Sequence, residues 1–365
     1  MEIVQNANEM VTFFAAALEA GVDAGTNSVL IDKFLEGPEV EVDAVCDGEV
    51  VLIPGIMEHV ERAGVHSGDS VAVYPPQSLT PAQIDSIVDY TTRMALELGV
   101  KGLMNVQFVI AEEADPHGTG VFIIEVNPRS SRTVPFISKV TNIPLVNLAV
   151  NIMLGKTLTD QGYSGGLHPS MNLIAIKAPV FSMNKLTNVD TFLGPEMKST
   201  GEVMGIDKSF APAMRKALIA SSMNILPKTP FLLSISNQTK SEATSLIRYL
   251  HESGSPLFAT EGTASLITAL GIPVTIISKR LDDGDKNVVE LIKDGAVGAV
   301  INTLEGGRTE VRRDGFFIRR AATEMRIPCF TSLDTARAAV QAIDDDPDGS
   351  YSVLPISAYR SEDYD

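Results

Sequence analysis

The segment FIIEVNPRSSRTVPF, residues 122–136, runs from an apolar stretch straight into Glu125, Asn127, Arg129 and Arg132. In a strand, residues two apart share a face, so Glu125 and Asn127 point the same way. Gln107 is a polar residue inside the preceding apolar run GLMNVQFVI, and the polar turn AEEADPHGTG makes the two runs an antiparallel hairpin. One carboxylate and two amide oxygens on paired strands form a donor set for a hard cation such as Mg²⁺, with room left for waters and phosphate. Pro128 turns the chain, and Arg129 and Arg132 project from that turn, able to grip phosphate or carboxylate through paired N–H groups. Each of these residues alone reads more simply as half of a solvated salt bridge. Their convergence beside apolar strands favours a binding site, because a polar network of that size is costly to desolvate with no ligand.

The elements around this cluster follow from periodicity and end signals. NANEMVTFFAAALEAG reads as a helix capped by Asn6, with Glu9 at the capping-box position and Gly21 as its stop. SVLIDKFLEGPEVEVDAVCDGEVVLI reads as strands broken by turns, with Asp47 and Gly48 at a hairpin tip. Glu39, Glu41 and Asp43 alternate there with Val40, Val42 and Ala44, which gives one acidic and one apolar face; Glu39 taken alone is one tooth of an exposed acidic strand. EHVERAGVHSGDS reads as a glycine-punctuated loop, and Thr80, Pro81 and Gly99 delimit a second helix. PSMNLIAIKAPVF reads as a strand, FAPAMRKALIASSM as a helix, and Pro227–Pro230 as a linker.

From Phe231 the pattern becomes regular. FLLSIS, PLFAT, VTIIS, VGAVINT and IPCFT are short apolar runs separated by amphipathic helices, the signature of a doubly wound parallel sheet. Thr260, Gly262 and Thr263, in FATEGTASL, sit between a strand end and a helix start, where such sheets bind anions. Lys240 and Lys279 follow the first and third strands, at the same sheet edge. A threonine at a helix start is also a common cap with no ligand. The acidic end DDDPDGSYSVLPISAYRSEDYD reads as a loosely held tail.

Composition narrows the class. The chain has 365 residues, 44% hydrophobic and 21% charged, enough for two domains with sizeable cores. A net charge of −17 argues against general binding to nucleic acid or to anionic membrane, though not against nucleotides held by a few cations and backbone amides. Two distant cysteines, Cys46 and Cys329, suggest neither a disulfide framework nor a metal knuckle. MEIVQNANEM lacks a basic start followed by an apolar core, so a cytoplasmic protein is expected.

IIEVNPRSSRTVPFISK, with GLMNVQF before it and GIMEHVERAGVHSGDS earlier, resembles the C-terminal half of the carbamoyl-phosphate synthetase large subunit over almost the whole chain. The resemblance implies an α/β protein in three parts. Residues 1–226 are the later portion of an α+β ATP-grasp unit, 227–345 a doubly wound, methylglyoxal-synthase-like regulatory domain, and 346–365 an acidic tail. It also implies roles. Gln107, Glu125 and Asn127 match metal ligands, and Arg129 and Arg132 match residues that steady the phosphoryl group and carbamate. Asp32, Phe34 and Glu39 match adenosine contacts, and Gly64, Val65, His66 and Ser67 match another nucleotide loop. Glu61 and Asp69 match positions linked to ornithine, an activator of some members. Ser234, Lys240, Thr260, Thr263, Lys279 and Asn302 match contacts to a nucleotide monophosphate effector such as UMP or IMP, while Leu304 departs from a threonine found there in some members.

The implied activity is ATP-dependent phosphorylation of carbamate to carbamoyl phosphate, with ATP, Mg²⁺ or Mn²⁺, and K⁺. The implied partners are the first half of the large subunit, a glutaminase small subunit and the effector, in an oligomer without nucleic acid or membrane. The glycine-rich lobe of the ATP site is expected to precede Met1, so the isolated chain is expected to be inactive. A catalytically silent, effector-binding module and another ATP-grasp ligase are the rival readings.

Overall fold

The computed structural model describes residues 3–4, 6–23, 28–111, 118–183, 189–278, 287–304, 309–344 and 351–361. Lys279 lies outside the described residues.

The first sheet has nine strands: β1 (Pro38–Cys46), β2 (Val51–Ile53), β3 (Ile56–Arg62), β4 (Ala72–Tyr74), β5 (Gly102–Ile110), β6 (Val121–Asn127), β7 (Gly166–Leu167), β8 (Ile174–Val180) and β9 (Gly201–Asp207). Its main path runs β6-β5-β1-β3-β4-β8-β9, and β2 and β7 form a side branch from β1. Neighbours along the main path are antiparallel. The β1–β2 hairpin closes at Asp47 and Gly48, where Gly48 takes a φ of 99°, open to glycine at little steric cost.

Five helices accompany this sheet: α1 (Ala7–Asp23), α2 (Pro81–Glu97), α3 (Val134–Thr141), α4 (Leu145–Met153) and α5 (Phe210–Ala220). Asn6 Oδ1 accepts from the Asn8 and Glu9 amides at 3.1 and 3.0 Å, so it caps α1, which continues past Gly21 to Asp23. Thr80 and Gln83 form a complete capping box on α2. Val40, Val42 and Ala44 of β1 pack in one core cluster with Ile87 and Ala95 of α2. The opposite face of β1 carries the three acids.

The second sheet is parallel, ordered β12 (Thr275–Ile277), β11 (Leu257–Thr260), β10 (Phe231–Ser234), β13 (Ala299–Asn302) and β14 (Cys329–Phe330). Its helices are α6 (Lys240–Glu252), α7 (Glu261–Ala269), α8 (Val288–Lys293), α9 (Thr309–Glu324) and α10 (Leu333–Asp344). The chain winds outward from β10 in one direction, then returns to β13 on the other side. The crevice at the carboxyl ends of β10 and β13 is therefore the switch point where such sheets bind ligands.

The two parts share a core. Ile176, Ala213 and Leu218 from the first cluster with Leu246, Ala339 and Ile343 from the second. Arg62 at the end of β3 reaches Glu242 of α6 at 2.5 Å and Asp334 of α10 at 3.3 Å.

Four expectations are corrected. Residues 28–36 form no strand, and Glu58–Arg62, read as loop, are strand β3. The acidic face of β1 is not exposed: Glu39, Glu41 and Asp43 are buried. The end is not loose throughout: α11 (Ile356–Tyr359) buries Tyr359 among residues of β9, α3 and α4, and Lys216 donates to the Tyr359 hydroxyl at 2.8 Å.

Candidate active site

The hairpin predicted from pattern is present, and its register decides which side chains meet. Gln107 of β5 pairs with Glu125 of β6, and Asn105 pairs with Asn127. On the other side of β5, Gln107 pairs with Glu41 of β1 and Asn105 with Asp43. Directly paired residues project to the same face, so two rows of polar side chains cross three strands. The register shifts between Gln107 and Phe108, so β6 carries one extra residue beside Glu125; a bulge of this kind re-aims the side chain next to it.

The outer end of this array is accessible. Glu125 is exposed, Asn127 and Gln107 are half-buried, and Asn127 Nδ2 donates to Glu125 Oε1 at 2.8 Å. Gln107 Nε2 donates to Ser67 Oγ at 2.9 Å, which leaves the Gln107 amide oxygen for another partner. Among the described residues, no three His, Cys, Asp or Glu side chains gather as a metal cluster. The donor set is one carboxylate with amide oxygens, which fits a hard cation that retains water and phosphate oxygens as further ligands.

The inner end is a buried charge network that sequence reading missed. Asn105 Nδ2 donates to Glu41 at 2.8 Å and to Asp43 at 2.9 Å. Ser131 and Thr133, in the turn between Arg129 and α3, each donate a hydroxyl to Asp43 at 2.6 Å. The arginine-bearing turn is thus pinned to β1. His59 of β3 lies 3.3 Å from both Glu39 and Glu41. Burial alone lowers its pKa, but the two carboxylates outweigh burial and raise it to about 9. Burial raises the Glu41 pKa, and the hydrogen bond and charge of His59, with the charge of Lys177, reverse this and bring it to about 2. Asp43 goes the other way, to about 6, through burial and the neighbouring Glu41 charge. Lys177 of β8 is fully buried and donates to the Ser67 carbonyl at 2.9 Å; burial lowers its pKa. These partners come from five separate stretches of chain; the alternation of acids in β1 was the only sequence signal.

The loop of residues 63–71 joins the two ends. The His66 ring accepts from the Gly68 amide at 3.0 Å, and a side chain on Gly68 would come within 3.3 Å of Arg132 Nη1. Phe34 lies against Gly64, while Asp32 stays exposed nearby in sequence. Arg132 donates to Ser199 Oγ at 2.9 Å, and Arg129 turns back to the Ser130 carbonyl at 3.0 Å. The structure therefore brings Phe34, Gly64, His66, Ser67, Gln107, Glu125, Asn127 and Arg132 into one connected region; Val65 lies on the same loop. Glu39 is buried on β1, against His59.

Glu61 and Asp69 are already engaged by protein donors. Glu61 accepts from the Val71 amide at 2.7 Å and from Thr335 of α10 at 2.6 Å. Asp69 accepts from the Lys198 and Ser199 amides at 2.7 and 2.8 Å.

In the second sheet, Ser234 and Asn302 are register partners at the switch point, and Asn302 Nδ2 donates to the Ser234 carbonyl at 3.2 Å. Thr260 stands at the start of α7 and makes no side-chain capping bond. Thr263 Oγ1 accepts from the Ile235 amide at 2.9 Å. Lys240 Nζ overhangs Gly262, 3.4 Å from where a side chain would begin. A helix N-terminus, an ammonium group and a hydroxyl thus face one crevice, and Leu304 follows β13 just beyond it.

Comparison with known proteins accords with this division. Residues 1–161 match the carbamoyl-phosphate synthase L chain ATP-binding domain, and residues 242–331 match the MGS-like domain. The whole chain is 51% identical over 364 residues to the carbamoyl phosphate synthase large chain of Thermomicrobium roseum. The chain carries a carbamoyl-phosphate synthase L-chain ATP-binding domain and an MGS-like domain.

It corresponds to a C-terminal portion and spans 33% of the length of that relative synthase. Among solved structures it is similar to the biotin carboxylase domain of Hydrogenobacter thermophilus 2-oxoglutarate carboxylase, in complex with MgADP, ADP and bicarbonate. That likeness has 19% identity and a TM-score of 0.47, covering 60% of this chain and 53% of that one. It is also similar to a Campylobacter jejuni biotin carboxylase–ATP complex, with 14% identity and a TM-score of 0.46 over 60% of this chain and 54% of that one. In this chain, Gln107, Glu125, Asn127 and both arginines fall within the ATP-binding-domain match, and Thr260, Thr263 and Asn302 fall within the MGS-like match. Asp190 and Ser199 lie between the two matched regions.

Proposed function

We propose that this chain supplies the metal- and phosphate-holding side of an ATP site that phosphorylates carbamate. The carbamate oxygen attacks the γ-phosphorus, the bond to the β–γ bridging oxygen breaks, and carbamoyl phosphate and ADP leave. The observation that carries this reading is the direct pairing of Gln107 with Glu125, next to Ser67 and Arg132. Glu125, Asn127 and the Gln107 amide oxygen would hold Mg²⁺, which would supply charge neutralisation to the phosphates. Arg132, oriented by Ser199, meets the transferring phosphoryl group or the carbamate, and Arg129 serves the same anion from the exposed side of the turn. The Asp43 network fixes that turn, so the guanidinium groups are positioned before substrate arrives.

In the complete synthase, the preceding part of the large chain contributes the rest of the ATP site, and a glutaminase subunit provides ammonia for carbamate. The parallel-sheet domain binds the phosphate of a nucleotide monophosphate at the start of α7, with Lys240, Thr260 and Thr263 nearest and Ser234 and Asn302 at the switch point. Lys279 is assigned to the same site from sequence.

The test joins the chain to the preceding part of the large chain and measures carbamate-dependent formation of ADP and carbamoyl phosphate. Glu125→Gln abolishes that turnover while UMP binding, measured by titration calorimetry, is retained. Normal turnover in the variant rejects the assignment. UMP binding by a wild-type assembly that shows no carbamate phosphorylation identifies a purely regulatory module instead.

A further inference from the structure

The segment 189–200 touches both functional regions, and its contacts are unusually specific. At one end, Asp190 is held by Arg319 of α9 through two bonds, Nε to Oδ1 at 2.7 Å and Nη2 to Oδ2 at 2.6 Å. The third arm of the same guanidinium, Nη1, donates to Asn302 Oδ1 at 2.5 Å. Arg319 is 1% exposed, so this fork is fixed inside the regulatory domain. It fits because α9 carries glycine one turn earlier: a side chain at Gly315 would lie 2.8 Å from Arg319 Nη1. At the other end, the Lys198 and Ser199 amides bond to Asp69, and Ser199 Oγ accepts from Arg132 and donates to the Gly68 carbonyl. Between the ends, the Gly194 carbonyl accepts from the His66 amide at 2.8 Å.

We propose that residues 190–199 are the mechanical link between the nucleotide-monophosphate crevice and the phosphoryl-transfer site, with Arg319 as the positioning residue at its regulatory end. Asn302 is shared: its amide nitrogen bonds the Ser234 carbonyl at the switch point, and its oxygen holds Arg319. A ligand that draws on the Asn302 side chain must alter the Arg319 bond, and Arg319 carries the strap by a bidentate ion pair. Displacement of the strap changes the purchase of Ser199 on Arg132 and of Gly194 on His66. The link rests on the reading of the second domain as an effector site. Coupling of this kind is a free energy measured between two ligands.

Asp190→Asn isolates the link. The substitution keeps the size of the side chain and an oxygen to accept from the Phe192 amide, while removing the charge that Arg319 grips. Asp190 contacts neither proposed ligand. Hydrogen exchange is followed by mass spectrometry on the 365-residue chain with and without saturating UMP, and in parallel IMP, with affinity measured by calorimetry. In the wild type, nucleotide alters exchange at 189–200 and at 64–69. In Asp190→Asn, affinity stays within about threefold and both remote changes are lost; Asp190→Glu, which restores the charge, recovers them. Ser199→Ala, which removes the hydroxyl bonds to Arg132 and the Gly68 carbonyl but leaves the backbone bonds to Asp69 and His66, retains the change at 189–192 and reduces it at 64–69. Remote changes that persist in Asp190→Asn overturn the link, as does wild-type binding with no change in the strap. Failure of the wild type to bind either nucleotide overturns the effector reading and the link with it.

Discussion

Gln107 and Glu125 face each other across β5 and β6, one residue from the point where the register slips. The pairing sets an amide and a carboxylate side by side at the accessible edge of the array, while Glu41, paired with Gln107 from the other side, is buried. Because Glu125 is exposed, its removal tests function with little penalty to the fold. Glu125→Gln and Gln107→Ala are each expected to lower ATP-dependent carbamate phosphorylation in the assembled synthase at least ~100-fold. Stability to urea changes by no more than about 0.5 kcal/mol in the Glu125 variant. A large loss of stability would mean that Glu125 holds the hairpin together rather than a ligand.

His59 makes the stability of the first sheet depend on pH. Its folded pKa is about 9, above an ordinary value of 6.5, so the folded state binds the extra proton between those limits. The stabilisation is complete below about pH 6.5 and disappears as pH climbs toward 9, a change on the order of 3 kcal/mol. Glu41 contributes in the opposite range: its depressed pKa gives stability above about pH 4.5 that fades as pH falls toward 2. His59→Gln should flatten the urea-denaturation profile between pH 6.5 and 9. Profiles that stay parallel for the variant and the wild type would place the pH dependence elsewhere.

The contrast between hairpin and network shows what a linear sequence carries. Gln107, Glu125 and Asn127 were legible because strand periodicity assigns faces locally, and an intervening polar turn supplies the antiparallel pairing. The parallel sheet was legible for the same reason, as each of its strands is a short apolar run between amphipathic helices. Burial of Glu39, Glu41 and Asp43 was not legible, since an acid on a strand reads as exposed until its partners are known. Those partners, His59, Asn105, Ser131, Thr133 and Lys177, are brought together only by the order of strands in the sheet. Asp190 escaped notice for a similar reason: its fork partner Arg319 lies 129 positions away.

Close approach of β9 and α5 leaves no room at Gly205. A side chain there would begin 2.0 Å from the Ala213 carbonyl oxygen and 2.6 Å from the Ala217 nitrogen, both backbone atoms of the helix. Helix backbone cannot yield locally without breaking its own hydrogen bonds. Gly205→Ala is therefore expected to cost at least ~2 kcal/mol, visible as a lower urea midpoint with an unchanged slope. A midpoint equal to wild type would show that α5 can slide away from the sheet.

Tyr359 converts part of an acidic tail into a clasp. Its ring is buried with Ile137, Leu148 and Ile206, its hydroxyl donates to the Ser352 carbonyl at 2.9 Å, and Lys216 reaches the same oxygen while pairing with Asp207 at 2.6 Å. Tyr359→Phe removes only the polar handle, and costs about 1 kcal/mol. Tyr359→Ala also empties buried space beside β9, in the core cluster shared with α3 and α4, which raises the loss to about 3 kcal/mol. Because α3 follows directly on the arginine-bearing turn, the alanine variant should also raise hydrogen exchange across residues 129–141. Equal, small effects from both substitutions would mean that the segment lies on the core without bracing it.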